Sequence, residues 1–461
     1  MRQNPHTPRL KTFVIAPQVR KEIDAQTGAE QPRPIPLIIS LQESRAHPER
    51  GIQAAKEKVA EFLKSRNIEF RQSDFYVFAS LVPKDIQDLA EMSQWVYQIW
   101  NDDTCYAHLL SSVDTIKASA CWRTFGGRGQ GITWAVMDTG IRPDHPHFNF
   151  DPARPTVDPS LSQNFSFSGE AKDSKDVNGH GTHVAGIIAG AAPSRADSQP
   201  YHAASFFEDP DSPQVSSLPA YPSGIAPLAQ LISVKVLNDD GTGSSSNAIL
   251  GLEYLRKLNQ ANRLIQVDGV NMSLGYPFDP KSYGCGHSPL CEEVNRAVDS
   301  GLIVVVSCGN WGYGTTKLDT GQEVPVYLGN SITDPANAEQ AIAVGSVHKT
   351  APHHYGVSYF SSRGPTGDGR MKPDLVAPGE KVVSCSIHLD KGYEYEEASG
   401  TSAAAPHVSG AIAAFLSMHS EFRGDPERVK QIFLKSARDL GRERAFQGAG
   451  LVDLLAAVMA V

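Results

Sequence analysis

The chain has 461 residues, 40% of them hydrophobic, which is enough for a large buried core plus at least one smaller domain. Its formal net charge is −9 and it has no basic run, which argues against nucleic acid as a partner. No stretch of about 18 apolar residues occurs and the first residues hold no apolar signal-like block, so neither a membrane span nor a secretory leader is expected, and the expected location is cytoplasmic.

Residues 1–35 are polar and proline-rich, and read as a flexible or loosely docked extension. Leu37 to Leu41 reads as a strand. Gly51 to Arg66 carries helical periodicity, with Ala54, Val59, Phe62 and Leu63 on one side. One or two strands follow over Phe70–Val82, then a helix over Lys84–Met92 and a strand over Val96–Trp100. The order βαββαβ is that of a split ferredoxin-like α+β module, assigned to residues 36–108.

Residues 109–461 then alternate strands and helices. Strands are expected near Ile132–Met137, Gln230–Leu237, Gly269–Met272, Leu302–Ser307 and Ala341–Val347. A further strand is expected near Leu264–Val270. Helices are expected near His180–Ala191, Ser245–Asn259, Cys291–Ser300 and Ser402–Met418, with surface helices at Pro426–Ser436 and Val452–Val458. Such alternation predicts an α/β domain with a mostly parallel sheet and helices on both faces. A Pro/Ser/Asp-rich insertion, 193–223, interrupts it.

Three motifs carry chemistry. Asp138 ends the apolar strand Ile132–Met137, where α/β folds place their sites. His180 lies between Gly179 and Gly181 at the start of a small, apolar helix, with His183 as a competing base. Ser402 opens the helix after Gly400-Thr401, with Pro406 tolerated in its first turn. A serine needs a base to become a nucleophile, and the base needs a carboxylate to fix its tautomer. Asp, His and Ser in that chain order are one of the known solutions. Each residue has a structural alternative: a strand-end turn, a core histidine, a helix cap. The three motifs together outweigh those alternatives.

With these motifs the chain resembles the subtilisin-like serine peptidases from about Gly131 to Val461. The resemblance implies hydrolysis of polypeptides through an acyl-enzyme, with Asp138, His180 and Ser402 as the triad and His183 structural. Ser307-Cys308-Gly309-Asn310 resembles the family's oxyanion segment, with Asn310 as the side-chain donor. Ser273-Leu274-Gly275 and Ser307-Cys308-Gly309 resemble the two walls of the primary specificity pocket, where glycines would keep the cleft open. Gly241-Thr242-Gly243 resembles the edge that pairs with extended substrate. Ser244-Ser245-Ser246 replaces a bulky aromatic there, which implies an open outer subsite. Asp374 to Gly379 matches a structural segment.

No cofactor is implied. The family's structural calcium site is altered, because His147 stands where an acidic ligand would be and histidine suits this hard cation poorly, which leaves structural calcium open only at a different, weak site. Residues 36–108 resemble the family's propeptide, an intramolecular inhibitor with a tail over Asn101–His108 and self-cleavage near His108. A permanently attached accessory domain is the alternative. The six cysteines fit no zinc pattern, although Cys285 and Cys291 could form a loop disulfide and Cys308 could expose the site to thiol reagents. Two other readings stay open: a catalytically silent scaffold on the same fold, and a dedicated processing protease gated by 193–223.

Overall fold

The computed structural model describes residues 14–27, 32–42, 51–102, 111–151, 153–167, 173–195, 199–206, 213–218, 221–261, 265–317 and 321–461. The chain divides into two compact units, Met1–Tyr106 and Ala107–Val461. The proposed cleavage point near His108 and Cys105 lie outside the described residues.

The smaller unit contains α1 (Pro17–Ala25), β1 (Ile35–Leu41), α2 (Ile52–Ser65), β2 (Phe70–Gln72), β3 (Tyr76–Leu81), α3 (Pro83–Ala90) and β4 (Val96–Asn101). The four strands form an antiparallel sheet in the order β2-β3-β1-β4, the arrangement of the βαββαβ module. Val59 and Leu63 of α2 and Ile86 and Leu89 of α3 share a core with Leu37, Ile39, Val77 and Leu81. One expectation needs correction. The stretch 14–27 is no loose extension, because Val19 and Ile23 of α1 are buried in that same core. The segment is also tied to β4 by the bond from Ala16 N to Ile99 O, 3.0 Å. A Pro-start helix of nine residues has weak local signals, and its two buried apolar residues do not make a visible stripe.

The larger unit is built on β5 (Thr133–Asp138), β6 (Gln163–Asn164), α4 (His180–Ile188), β7 (Tyr201–Ser205), β8 (Gln214–Leu218), β9 (Gln230–Lys235), α5 (Ser245–Ala261), β10 (Gly269–Met272), α6 (Pro289–Asp299) and β11 (Ile303–Ser307). It continues with β12 (Tyr313–Lys317), β13 (Glu323–Tyr327), β14 (Ile342–His348), β15 (Leu375–Glu380), β16 (Val382–Cys385), β17 (Tyr395–Ala398), α7 (Thr401–Leu416), α8 (Pro426–Ser436) and α9 (Leu454–Met459).

Seven of these strands form one parallel sheet in the order β15-β14-β11-β10-β5-β9-β6. Strand alternation splits the core. Trp134 and Val136 of β5 face a cluster holding α4 and α7, whereas Ala135 and Met137 face one holding α5 and α6. Both faces are therefore covered, which is why the strands read as continuous apolar runs. Because β9 and β10 flank β5 on opposite sides, the order reverses there, and the crevice beyond the carboxyl ends is the natural ligand position.

The described parts of 193–223 are not simply loop. Strands β7 and β8 pair with each other, and β7 joins β17, giving a second sheet in the order β16-β17-β7-β8. The sequence also concealed the hairpin β12–β13, whose strands, one polar with a glycine and one broken by Pro325, lack a buried face.

Candidate active site

Asp138, at the end of β5, is fully buried. Its Oδ1 accepts hydrogen bonds from Thr139 N and His180 Nδ1, both 2.7 Å. His180 is the first residue of α4, and its side chain keeps 37% of its surface exposed. A Cβ on Gly181 would collide with Gly140 O, so only glycine lets the start of this helix lie against the strand end. Burial would lower the His180 pKa, but the charge and hydrogen bond of Asp138, with Asp176 behind it, overcome this and raise it. His183 is different. Its ring bonds to Glu396 O at 3.2 Å, and burial pushes its pKa down to about 4.

The loop before α4 depends on Asp176, which sequence reasoning missed. This buried carboxylate accepts from Thr139 Oγ1, Asn178 N, Gly179 N, Thr182 N and Thr182 Oγ1 at 2.7–3.0 Å. Asp176-Val177-Asn178-Gly179 is an Asx-turn signature, so the signal was present. Thr139 Oγ1 in turn accepts from Gly181 N at 2.9 Å, which links the carboxylate strand to the histidine helix. The buried Lys235 amine donates to Thr139 O at 2.8 Å and pairs with Asp239 at 2.6 Å.

Ser402 is the second residue of α7, in the turn where helical N–H groups lack intrahelical partners. Pro406 lies deeper in the helix than the first turn. Lacking an N–H, it leaves Ser402 O without its helical donor. Ser273 Oγ supplies one instead, at 2.8 Å. A buried chain stands behind that bond: Ser409 Oγ donates to Asn271 Oδ1 at 2.9 Å, and Asn271 Nδ2 donates to Ser273 Oγ at 2.8 Å. The proline thus frees a carbonyl that fastens the serine turn to the end of β10.

Asn310 follows β11. Its Oδ1 accepts from Thr401 N at 2.9 Å and Thr401 Oγ1 at 3.0 Å. With the oxygen committed to Thr401, the Nδ2 donor is left to face the cleft. Thr401 Oγ1 also accepts from Gly309 N at 3.3 Å.

His180, Ser402 and Asn310 border one cleft of about 510 Å³. Gly241, Thr242 and Gly243 edge it, and Ser273, Leu274, Gly275, Ser307 and Gly309 line its walls. Thr333 also lines it, a residue that belongs to no recognised motif. The glycines act differently from expectation. A Cβ on Gly275 would meet Asp334 O at 2.8 Å, and one on Gly309 would meet Thr333 Cγ2 at 2.6 Å. They allow the walls to pack on Thr333 and Asp334, rather than keeping the opening clear. Cys308 also departs from expectation: its side chain is fully buried in the core on the α5–α6 face. Its thiol lies 3.4 Å from Ser362 O, and burial pushes its pKa up to about 12. Cys285 and Cys291 are free, buried thiols, not a disulfide.

His147 does not fit a calcium site. Its Nδ1 accepts from the Tyr395 hydroxyl at 3.2 Å and its Nε2 donates to Ala189 O at 3.1 Å, so both ring nitrogens are committed. Among the described residues no three His, Cys, Asp or Glu side chains converge on a point that could hold a metal.

A buried carboxylate holding an imidazole, a serine in the first turn of a helix and an oriented carboxamide on one cleft make up the arrangement of a serine peptidase. The sequence profile of the Subtilase family matches residues 129–451. Over 364 residues the chain is 31% identical to an intracellular serine protease of Paenibacillus polymyxa, covering 78% of this chain and 90% of that one. It is 30% identical to subtilisin E of Bacillus subtilis, covering 75% and 70%. It is 30% identical to serine protease AprX of the same species, covering 70% of this chain and only 65% of that relative. The chain belongs to the subtilase family of serine endopeptidases.

Proposed function

We propose that this protein cleaves polypeptides through an acyl-enzyme formed on Ser402. Ser402 Oγ attacks the scissile carbonyl carbon while His180 Nε2 takes its proton, and Asp138 holds the imidazole by Nδ1. Asn310 Nδ2 and the Ser402 amide stabilise the oxyanion. The C–N bond then breaks as His180 returns the proton to the leaving amine. Water, activated by the same imidazole, hydrolyses the ester. The observation that carries this reading is the 2.7 Å bond between His180 Nδ1 and Asp138 Oδ1 on a cleft shared with Ser402 and Asn310.

Extended substrate pairs with the exposed Gly241-Thr242-Gly243 edge. That edge is shaped by a turn in which Asp240 Oδ1 accepts from Thr242 N at 2.8 Å and Thr242 Oγ1 at 2.7 Å. Exposed Ser244 and Ser245 support an open outer subsite there. No cofactor takes part in these steps. The unit ending at Tyr106 acts as an intramolecular inhibitor, removed by self-cleavage near His108. Its compact fold supports this, as does a cross-strand row of Ile38, Phe78 and Trp100 on a sheet face its own core leaves open. The described residues include no helix long and apolar enough to cross a membrane. The intracellular location named for the Paenibacillus relative is proposed here too.

Intact-mass analysis of wild type and Ser402→Ala, each with a fluorophosphonate probe, tests the reading. Wild type is expected to lose about a hundred N-terminal residues, the size of the first unit, and to take the probe. Ser402→Ala does neither. A full-length wild type that takes the probe would remove the self-cleavage part. No labelling, even after limited proteolysis, would leave a silent scaffold.

A further inference from the structure

The hairpin β12–β13 begins three residues after Asn310, and the cleft-lining Trp311 lies between them. Its base is fastened to the 358–363 segment. Gly312 N donates to Phe360 O at 2.9 Å, Trp311 N to Ser362 Oγ at 3.1 Å, and Leu328 N to Gly312 O at 3.0 Å. Four aromatic rings gather there. Tyr313 and Tyr327 are cross-strand partners with centroids 5.6 Å apart. Tyr359 packs on Tyr313 at 5.6 Å and 90°. The buried Arg363 guanidinium lies 4.2 Å from the Tyr327 ring centre and holds that ring from beneath. Yet Trp311, Tyr327 and Tyr359 keep 54%, 64% and 56% of their surfaces exposed.

An exposed group of large rings needs an explanation, whereas single exposed hydrophobics do not. The three tyrosines are fixed by these contacts, so little of their conformational entropy is lost when something packs on them. Both edges of the two-stranded sheet are unpaired among the described residues, so backbone can add there as well. Continuity with the cleft through Trp311 selects the occupant. A polypeptide bound in the cleft would lie beside Trp311, the residue that joins the cleft to the hairpin.

We propose that Trp311, Tyr313, Tyr327 and Tyr359 form an accessory subsite that takes an aromatic or large aliphatic side chain of the polypeptide substrate, outside the primary pocket. The proposal rests on the peptidase reading above. It makes specificity depend on a flanking residue, and it gives the hairpin a function that the triad does not need.

The test is a peptide series with one constant core and Phe or Ser placed in turn at each flanking position. Wild type should favour Phe over Ser by about three- to tenfold in kcat/KM at one position, the scale of one aromatic contact. In Tyr327→Ser and Tyr359→Ser the ratio should fall towards one, and in Tyr327→Phe it should persist. Binding of the same peptides to Ser402→Ala, read by fluorescence anisotropy, should show the same preference. That arm stands even if no peptide is cleaved, which separates failure of the subsite from failure of the peptidase reading. No position with more than twofold preference in binding or cleavage would overturn the proposal. So would a preference that survives Tyr327→Ser. So would variants that change only the oligomeric state by light scattering, since the shelf would then serve a second copy of the chain.

Discussion

Acid should unfold the larger unit through its buried histidines. His145, His147, His183 and His407 are each at most 5% exposed. Burial holds their pKa values at about 4, 3, 4 and 4, against an ordinary 6.5. A base whose folded pKa is lowered stays neutral in the native state but takes a proton when unfolded. Its contribution is therefore fully present above pH 6.5, and is lost as pH falls towards 4. A pH of 5 lies 1.5 units below the ordinary value of 6.5 that each histidine regains on unfolding. Each then costs about 2 kcal/mol, and the four together about 8 kcal/mol. That is comparable to the whole stability of a typical domain, about 5–15 kcal/mol. His180, Asp268 and Glu396 have raised pKa values and work the other way, gaining stability as pH falls. They offset part of the loss. Urea unfolding of Ser402→Ala, which cannot digest itself, should be measured from pH 7.5 to 4.5. The pH slope near pH 5 should correspond to about three protons taken up on unfolding. His147→Phe should remove about one of them, while costing stability at pH 7.5 by leaving Ala189 O and the Tyr395 hydroxyl unpaired. Uptake of fewer than one proton, or a slope unchanged in His147→Phe, would mean that these histidines do not set the acid stability.

Asn310→Ala should lower kcat by about 10²–10³, the magnitude that loss of one such donor has in a subtilisin, with KM little changed. Thr401→Val removes a hydroxyl that fixes the Asn310 carboxamide, so kcat should fall about three- to tenfold in steady-state assays, with Thr401→Ser near wild type. Because His180 is raised by Asp138, the acid limb of kcat/KM should have its midpoint above 6.5, and Asp138→Asn should lower kcat by about 10⁴. Thiol reagents should leave the native enzyme active for hours, since Cys308 is buried with its pKa pushed up to about 12; rapid inactivation that disappears in Cys308→Ala would contradict this.

The strands β5, β9, β10, β11 and β14 of the parallel sheet were legible because both faces are covered, so they read as largely apolar runs, whereas β6 is only Gln163–Asn164 and β15 is broken by Pro378 and Gly379. Asp138, His180 and Ser402, the residues proposed for catalysis, stood out because such a site demands unusual neighbours, such as glycines about His180 and small residues after Ser402. The residues that set the geometry were harder to see. Asp176, Thr401 and Ser273 act through hydrogen bonds to backbone, and such residue types occur everywhere on a surface. Cys308 was misassigned because strand parity alone does not say which side of the β11 terminus faces the cleft. The hairpin β12–β13 was invisible because its strands bury no continuous face, which is the property that periodicity detects.

The corner around His147 joins the inserted strands to the rest of the domain. His145 Nε2 donates to Glu394 O at 2.9 Å, and its Nδ1 accepts from His147 N at 3.1 Å. Tyr395 joins the pair, its ring 5.7 Å from His145 and 5.8 Å from both His147 and Tyr201. Tyr201 belongs to β7 of the insertion, and β7 pairs with β17, which carries Tyr395. Arg195 binds Glu394 at 2.6 Å and covers the Tyr201 ring at 3.8 Å. The inserted strands and the two histidines are therefore parts of one packed node. Its polar atoms are satisfied only while both imidazoles are neutral. The described strands of the insertion act through this corner, and none of the insertion's described residues lines the cleft. That arrangement ties the same residues to the acid sensitivity argued above, since a proton on His147 must be accommodated beside His145 in a site that excludes water.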